Sequence, residues 1–174
     1  MVRQPKRLGE QELHAYALKA LGARALSLGE MRVKLERRAL RKSDVEAVIT
    51  RLKSAGLLND ERFAAAYASW RVDARVGRQR VERDLRARRV APEAAKRAVD
   101  RAFADTDEIA MLREQIAKLT RRTGPPKDRR ATAALYRRLL SGGFSPSQIF
   151  PELRRIRKED AEALEESIED SMEE

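Results

Sequence analysis

Three segments of the chain share one pattern, and a threefold repeat narrows the possible folds more than any single motif does. In each, a helical leucine is followed five residues later by an apolar residue and then by a helix start. The first is Leu35-Glu-Arg-Arg-Ala-Leu40 before Ser43-Asp44-Val45-Glu46. The second is Leu85-Arg-Ala-Arg-Arg-Val90 before Pro92-Glu93, and the third is Leu139-Leu-Ser-Gly-Gly-Phe144 before Ser145-Pro146-Ser147-Gln148. Sheet formation is disfavoured by the composition: aromatics make up 5% of the chain, and straight-chain helix formers dominate.

Each unit reads as three helices. They are expected at about 12–25, 28–40 and 44–55, then 61–75, 78–89 and 92–104, then 107–121, 128–141 and 146–156. Val45, Val48, Ile49 and Leu52 form one helical stripe, and Ile109, Leu112, Ile116 and Leu119 another. Ser43 with Glu46 and Ser145 with Gln148 fit reciprocal capping boxes. Pro92 and Pro146 suit first helical positions, while Gly56 and Gly142-Gly143 suit left-handed helix ends. Asn59 or Asp60 is placed to cap the helix that follows, and Thr123-Gly124-Pro125-Pro126 reads as a stiff extended bend.

The expected architecture is all-α: three tandem three-helix repeats, about nine helices, stacked into an elongated helical bundle. The expected divisions are a basic extension over 1–11, repeats over 12–58, 59–105 and 106–157, and an acidic tail over 158–174.

Charge is unevenly placed. Of the 28 acidic residues nine fall in 159–174, which hold no base, so the remainder sets 38 Lys and Arg against 19 acids. A body this positive attracts polyanions, nucleic acid foremost. The alternative is an Arg-rich surface serving solubility alone. The tail either folds back on the basic face, weakening binding to free DNA, or only aids solubility.

Absent residue types exclude several chemistries. There is no cysteine, so disulfides, thiolate metal sites and cysteine nucleophiles are ruled out. His14 is the single histidine and has no nucleophile or metal partner in the pattern. No phosphate-binding glycine loop appears, because no Lys-Ser/Thr follows Gly142-Gly143. Neither an enzyme nor a cofactor is expected. Lys19 and Arg24 interrupt the first candidate apolar stretch, so a signal peptide and a membrane span are not expected and the cytoplasm is.

Two groups of residues suit binding. On the helix at 78–89, Val81 and Leu85 are expected to face the core, which turns Arg83 and Arg86 outward beside Arg78 and Arg80, with Arg71 and Arg75 on the preceding helix. The third unit adds Arg121, Arg122, Lys127, Arg129 and Arg130, with Arg137 and Arg138. Guanidinium groups suit phosphate because their planar fork bonds bidentately and stays charged. Phe63, Tyr67 and Trp70 fall on one face of one helix; their expected place is the core, with base stacking as the alternative.

The run Leu52-Lys-Ser-Ala-Gly-Leu-Leu-Asn-Asp-Glu-Arg-Phe-Ala64, with Tyr67, Arg71, Gly77, Arg80-Val81 and Leu85 spaced behind it, resembles the RecX family. Ser27-Leu-Gly-Glu-Met-Arg-Val-Lys-Leu35 is similar to that family's small-polar/acidic-x-Leu-Arg-x-x-Leu opening, with Met31 and a shifted Arg32 as departures. The third unit matches by layout. Arg88-Arg89-Val90 stands where the family has Lys-Gly-Ile/Val, which predicts a differently shaped helix end.

The resemblance implies a non-enzymatic modulator that lies in the groove of the RecA–single-stranded-DNA filament. There it would limit filament extension and damp strand exchange and coprotease activity. A monomer is expected, though the residues leave the oligomeric state open. Single-stranded DNA, and more weakly duplex DNA, would be its nucleic-acid partners. The resemblance carries no individual contact residues. A helix-turn-helix-like regulator reading duplex DNA through 78–89, and a basic helical-repeat adaptor for proteins, stand as alternatives.

Overall fold

In the computed structural model of the chain, residues 7–156 are described. The basic N-terminal residues before Arg7 and the acidic tail lie outside them. Eight helices follow in order: α1 (Glu10–Ala23), α2 (Leu28–Glu36), α3 (Lys42–Ser54), α4 (Asp60–Asp73), α5 (Arg78–Ala87), α6 (Pro92–Ala102), α7 (Glu108–Thr120) and α8 (Arg129–Gly142). A ninth, α9, is helical over 146–156. The all-α class and the three-helix layout are as the sequence predicts. Structure starts before the expected boundary at residue 12, because Leu8 pairs with the chain after α2: its N–H donates to Arg38 O at 2.7 Å, and Leu40 N–H donates to Leu8 O at 2.8 Å.

Local chemistry explains most helix ends. Ser145 and Gln148 form the expected capping box, with Ser145 N–H on Gln148 Oε1 at 2.8 Å and Gln148 N–H on Ser145 Oγ at 3.3 Å. The box expected at Ser43 and Glu46 does not form. α3 starts two residues earlier, at Lys42, and the Glu46 carboxylate is held by Arg32 of α2 instead. A box that serves α2 stands at Ser27 and Glu30, where Ser27 Oγ accepts from Glu30 N–H at 3.0 Å and Glu30 Oε2 accepts from Ser27 N–H at 3.1 Å. Asn59 caps α4 by accepting from Arg62 N–H at 2.9 Å.

Asp60 does something else. Its carboxylate accepts the N–H of Leu28 at 2.8 Å and of Ala91 at 3.3 Å, so it ties the starts of α2 and α6 to the start of its own helix. Both N–H groups belong to helix N-termini, where negative charge is favourable.

The repeat leucines Leu35, Leu85 and Leu139 are all buried, at 1% exposure or less. Their apolar partners are not alike. Val90 and Phe144 are buried, but Leu40 is 60% exposed and Ala39 takes the interior place. The second and third repeats end their middle helices identically. Val90 N–H returns to Leu85 O at 3.1 Å and Phe144 N–H to Leu139 O at 3.3 Å. Arg89 and Gly143 supply the left-handed residue, at φ 58° and 100°. The expected change of shape at Arg88-Arg89-Val90 is therefore not found: arginine adopts the conformation that glycine would. In the first repeat Ala39 N–H bonds Leu35 O at 2.7 Å, and the chain turns off to meet Leu8.

The described chain divides into two compact units, and the division follows the packing rather than the repeats. One unit runs to Trp70 and takes in Glu82–Ala102; the other holds Arg71–Val81 and the chain from Phe103 onward. In the first, Leu13, Met31, Leu35, Val48, Ile49 and Leu52 form a core at 3% exposure or less. In the second, Met111, Leu112, Leu139, Phe144 and Ile149 do so. Ile109 and Leu119 of the expected stripe are only half-buried, and Met111 replaces them.

Each unit contains one stacking joint of the same register. Ser27 Oγ donates to Arg88 O in the first. In the second, Gly77 N–H donates to Gly142 O at 3.0 Å and Gln79 N–H to Gly143 O at 3.1 Å. In both, the start of one repeat's middle helix bonds the end of the next repeat's middle helix. α5 is thus used twice, its start in one unit and its end in the other.

Candidate nucleic-acid interface

The nominated cations differ in what already holds them. Arg78 is committed within its own unit: its Nε donates to Glu108 Oε1 at 3.1 Å, and its guanidinium lies 5.0 Å from the Phe103 ring centroid. Arg75, at φ 57° in the turn after α4, pairs with Glu114 at 2.6 Å, and Arg71 is half-buried. Arg80 is exposed and reaches Ser141 O at 3.5 Å. Arg83 and Arg86 are exposed, as the burial of Val81 and Leu85 at 0% requires. Arg121, Arg122, Lys127, Arg129 and Arg130 are all exposed as well.

Glu152 stands apart from these surface groups. It is buried at 5% exposure and receives the fork of Arg113 at 2.9 and 2.9 Å, with Arg155 Nε at 3.0 Å. The hydrogen bonds from Arg113, foremost, hold its carboxyl below the usual carboxylate range, with burial opposing and Arg155 adding to the shift.

The aromatic row of α4 is not core. Ala64 and Ala68, both 0% exposed, form the buried face of that helix, and the row lies about a third of a turn away from them. Two alanines four apart let a neighbour approach closely, which leaves larger side chains at the flank. Phe63 and Tyr67 are half-buried and Trp70 is 57% exposed. The rings form an ordered series: Phe63 and Tyr67 are parallel within 10° at 6.3 Å, and Trp70 meets Tyr67 edge-on at 5.7 Å. Tyr67 is fixed by its hydroxyl, 3.0 Å from Asp84 Oδ2.

These rings line a groove of about 800 Å³ in the first unit, together with Arg24, Arg62 and Arg88. The Arg88 guanidinium lies 5.6 Å from the Phe63 centroid and 5.0 Å from that of Tyr67. None of the three arginines was nominated from sequence. They come from the end of α1, from α4 and from the end of α5, and only folding brings them together.

In the second unit Lys127 and Arg129 do line a groove, of about 690 Å³, with Arg154, Tyr136 and Phe150. Tyr136 and Phe150 stack at 5.1 Å, and Phe150 is 52% exposed. Each unit therefore presents aromatic faces bordered by cations, a combination suited to phosphates and unpaired bases. Among the described residues no group of His, Asp and Glu stands where a metal could be held, and no helix is long and apolar enough to cross a membrane.

The fold and sequence both have close parallels. The crystal structure of RecX from Lactobacillus salivarius superposes with a TM-score of 0.70 at 19% identity, covering 85% of this chain and 96% of that one. That likeness bears on the fold. Residues 59–99 match the family model described as RecX, second three-helix domain. The regulatory protein RecX of Herminiimonas arsenicoxydans is 32% identical over 143 residues, covering 82% of this chain and 91% of the relative. The regulatory protein RecX of Deinococcus radiodurans is 35% identical over 159 residues, covering 88% of this chain and 74% of the relative. With that identity spread across its helical body, the chain belongs to the RecX family of regulatory proteins.

Proposed function

We propose that this chain is a non-enzymatic, cytoplasmic modulator of the RecA recombinase. It binds the RecA–single-stranded-DNA filament as a monomer, limits its extension, and so lowers strand exchange and coprotease activity. The observation that carries this reading is the 35% identity to a regulatory protein RecX over 88% of the chain. The exposed arginines Arg83 and Arg86 of α5 in one unit, and separately the cations from Arg121 to Arg130 in the other, are groups of the kind that compete for phosphate.

The helix-turn-helix alternative asks α5 to present its N-terminal residues to base edges. That end is occupied: Gly77 and Gln79 bond the end of α8, and Arg78 is held by Glu108. The protein-only adaptor predicts no salt-dependent affinity for DNA.

A pull-down against RecA with and without single-stranded DNA tests the reading. Retention by assembled filaments above either component alone is expected. Equal retention by RecA without DNA, or none at all, contradicts it.

A further inference from the structure

The groove beside α8 differs from the one beside α4 in what its cations already do. In the first unit Arg24 and Arg88 are drawn to Glu30 at 3.0 and 3.6 Å, and Arg62 donates to Gly56 O at 2.7 Å. In the second, the side chains of Lys127, Arg129 and Arg154 are exposed and make no ion pair or hydrogen bond among the described residues. The one carboxylate that lines this groove, Asp128, is spent on the start of α8, where it accepts Ala131 N–H at 2.7 Å.

Helical periodicity places the rings beside those cations. Leu135 and Leu139 bury one face of α8, and Ile149 and Leu153 one face of α9. Tyr136 and Phe150 each follow a buried residue by one position, about 100° round the helix, which sets both rings at the flank of the packed face. Arg129 stands two turns before Tyr136, and Arg154 one turn after Phe150, so each ring shares its side of the helix with a cation. The two rings stack at 5.1 Å, within 23° of parallel, and Phe150 remains 52% exposed.

We propose that this groove is a stacking subsite for single-stranded nucleic acid: an unpaired base lies on Phe150, extending the Tyr136–Phe150 stack, and Lys127, Arg129 and Arg154 take the flanking phosphates. The proposal rests on the reading that the chain contacts single-stranded DNA, and it names a place for that contact other than Arg83 and Arg86.

The chemistry favours this occupant. An exposed phenyl ring gains from being covered, and base–aromatic stacking covers it without demanding a particular base. Separate cations suit phosphates spaced along a strand, and the two guanidiniums bind them bidentately. Duplex DNA keeps its bases paired and stacked on one another, so it would meet the cations and leave the ring in water. An acidic peptide would satisfy the cations but offers nothing flat to Phe150. At about 690 Å³ the groove falls within the range of roughly 300–1,000 Å³ usual for ligand sites. Tyr136 is half-buried and backs Phe150, so the platform needs little ordering on binding.

The test compares affinities of the full chain, at fixed salt, for three end-labelled ligands followed by fluorescence anisotropy. They are oligothymidylate, an abasic oligonucleotide of equal length, and polyglutamate. Phe150→Ala should weaken oligothymidylate binding roughly tenfold while leaving the other two as they were, and Phe150→Tyr should restore most of the loss. Arg129→Gln with Arg154→Gln should weaken both oligonucleotides alike and lower the salt slope by about 0.7 per lost contact. Circular dichroism of each variant should match the parent, since all three side chains are exposed.

Oligothymidylate binding that Phe150→Ala leaves unchanged overturns the subsite and leaves the regulatory reading standing. Equal weakening of oligothymidylate and abasic binding by Phe150→Ala overturns the stacking role. Polyglutamate affinity that falls as far as oligothymidylate affinity overturns it in favour of an acidic protein partner. If the chain binds no oligonucleotide, the subsite and the direct DNA contact on which it rests both fall.

Discussion

A methyl group built on Gly29 would stand 2.5 Å from the Cβ of Arg89, so the start of α2 and the end of α5 meet with no room for a second side chain. The equivalent joint in the other unit places Gln79 against Gly143. A Cβ on Gly143 would lie 2.5 Å from the Cβ of Arg80. The second joint keeps a glycine on both sides, because a Cβ on Gly77 would also run into the backbone of Gly143. The first keeps Gly29 alone, and Arg89 takes the left-handed conformation at φ 58°.

Gly29→Ala should therefore destabilise the fold by about 1–3 kcal/mol, the usual range for forcing atoms into a packed contact. Arg89→Gly should act in the opposite direction, by about 0.5–1 kcal/mol, because glycine adopts the left-handed conformation without steric cost. Urea denaturation of the two variants checks both signs.

Asp60 joins three helix starts through one carboxylate. Asp60→Ala leaves the N–H groups of Leu28 and Ala91 without this acceptor and should cost about 2–3 kcal/mol. Asp60→Asn keeps one acceptor oxygen and should cost less. Thermal unfolding of the pair separates charge and geometry from side-chain volume.

Glu152 makes stability depend on acid. Its carboxyl is held below its ordinary range by Arg113, so its contribution is fully present above the unfolded value and is lost as pH falls through the folded one. Glu152→Gln should be less stable than the parent by about 2 kcal/mol at neutral pH. That gap should close below pH ~4, as the parent's carboxyl protonates. A gap that persists unchanged into acid would show that the ion pair with Arg113 is not its source.

Helix order and most boundaries were legible because periodicity, proline and glycine act locally. Pro92 does open α6 and Gly143 does close α8. The Ser43 box failed because Glu46 had a stronger partner in Arg32, a contact that only tertiary packing creates. The Ser27 box obeys the same spacing rule and could have been read. Periodicity showed that Phe63, Tyr67 and Trp70 share a face but not which face of α4 is buried. Ala64 and Ala68 win because small residues permit closer packing. The groove arginines left no signal in the sequence, since Arg24, Arg62 and Arg88 lie on three separate helices or their ends.

Arg83 and Arg86 are exposed on α5. Changing both to Ala should reduce the slope of log affinity against log salt for single-stranded DNA, by about 0.7 per lost contact. The fold should be unaffected. An unchanged slope would move the phosphate contacts to the cluster from Arg121 to Arg130.

The most direct test of the regulatory account is RecA's single-stranded-DNA-dependent ATPase, followed as this protein is added either before or after filament assembly. The account predicts falling turnover at protein levels well below RecA, with the larger effect on filaments still growing. Turnover that stays constant up to equimolar protein, in both orders of addition, would contradict it.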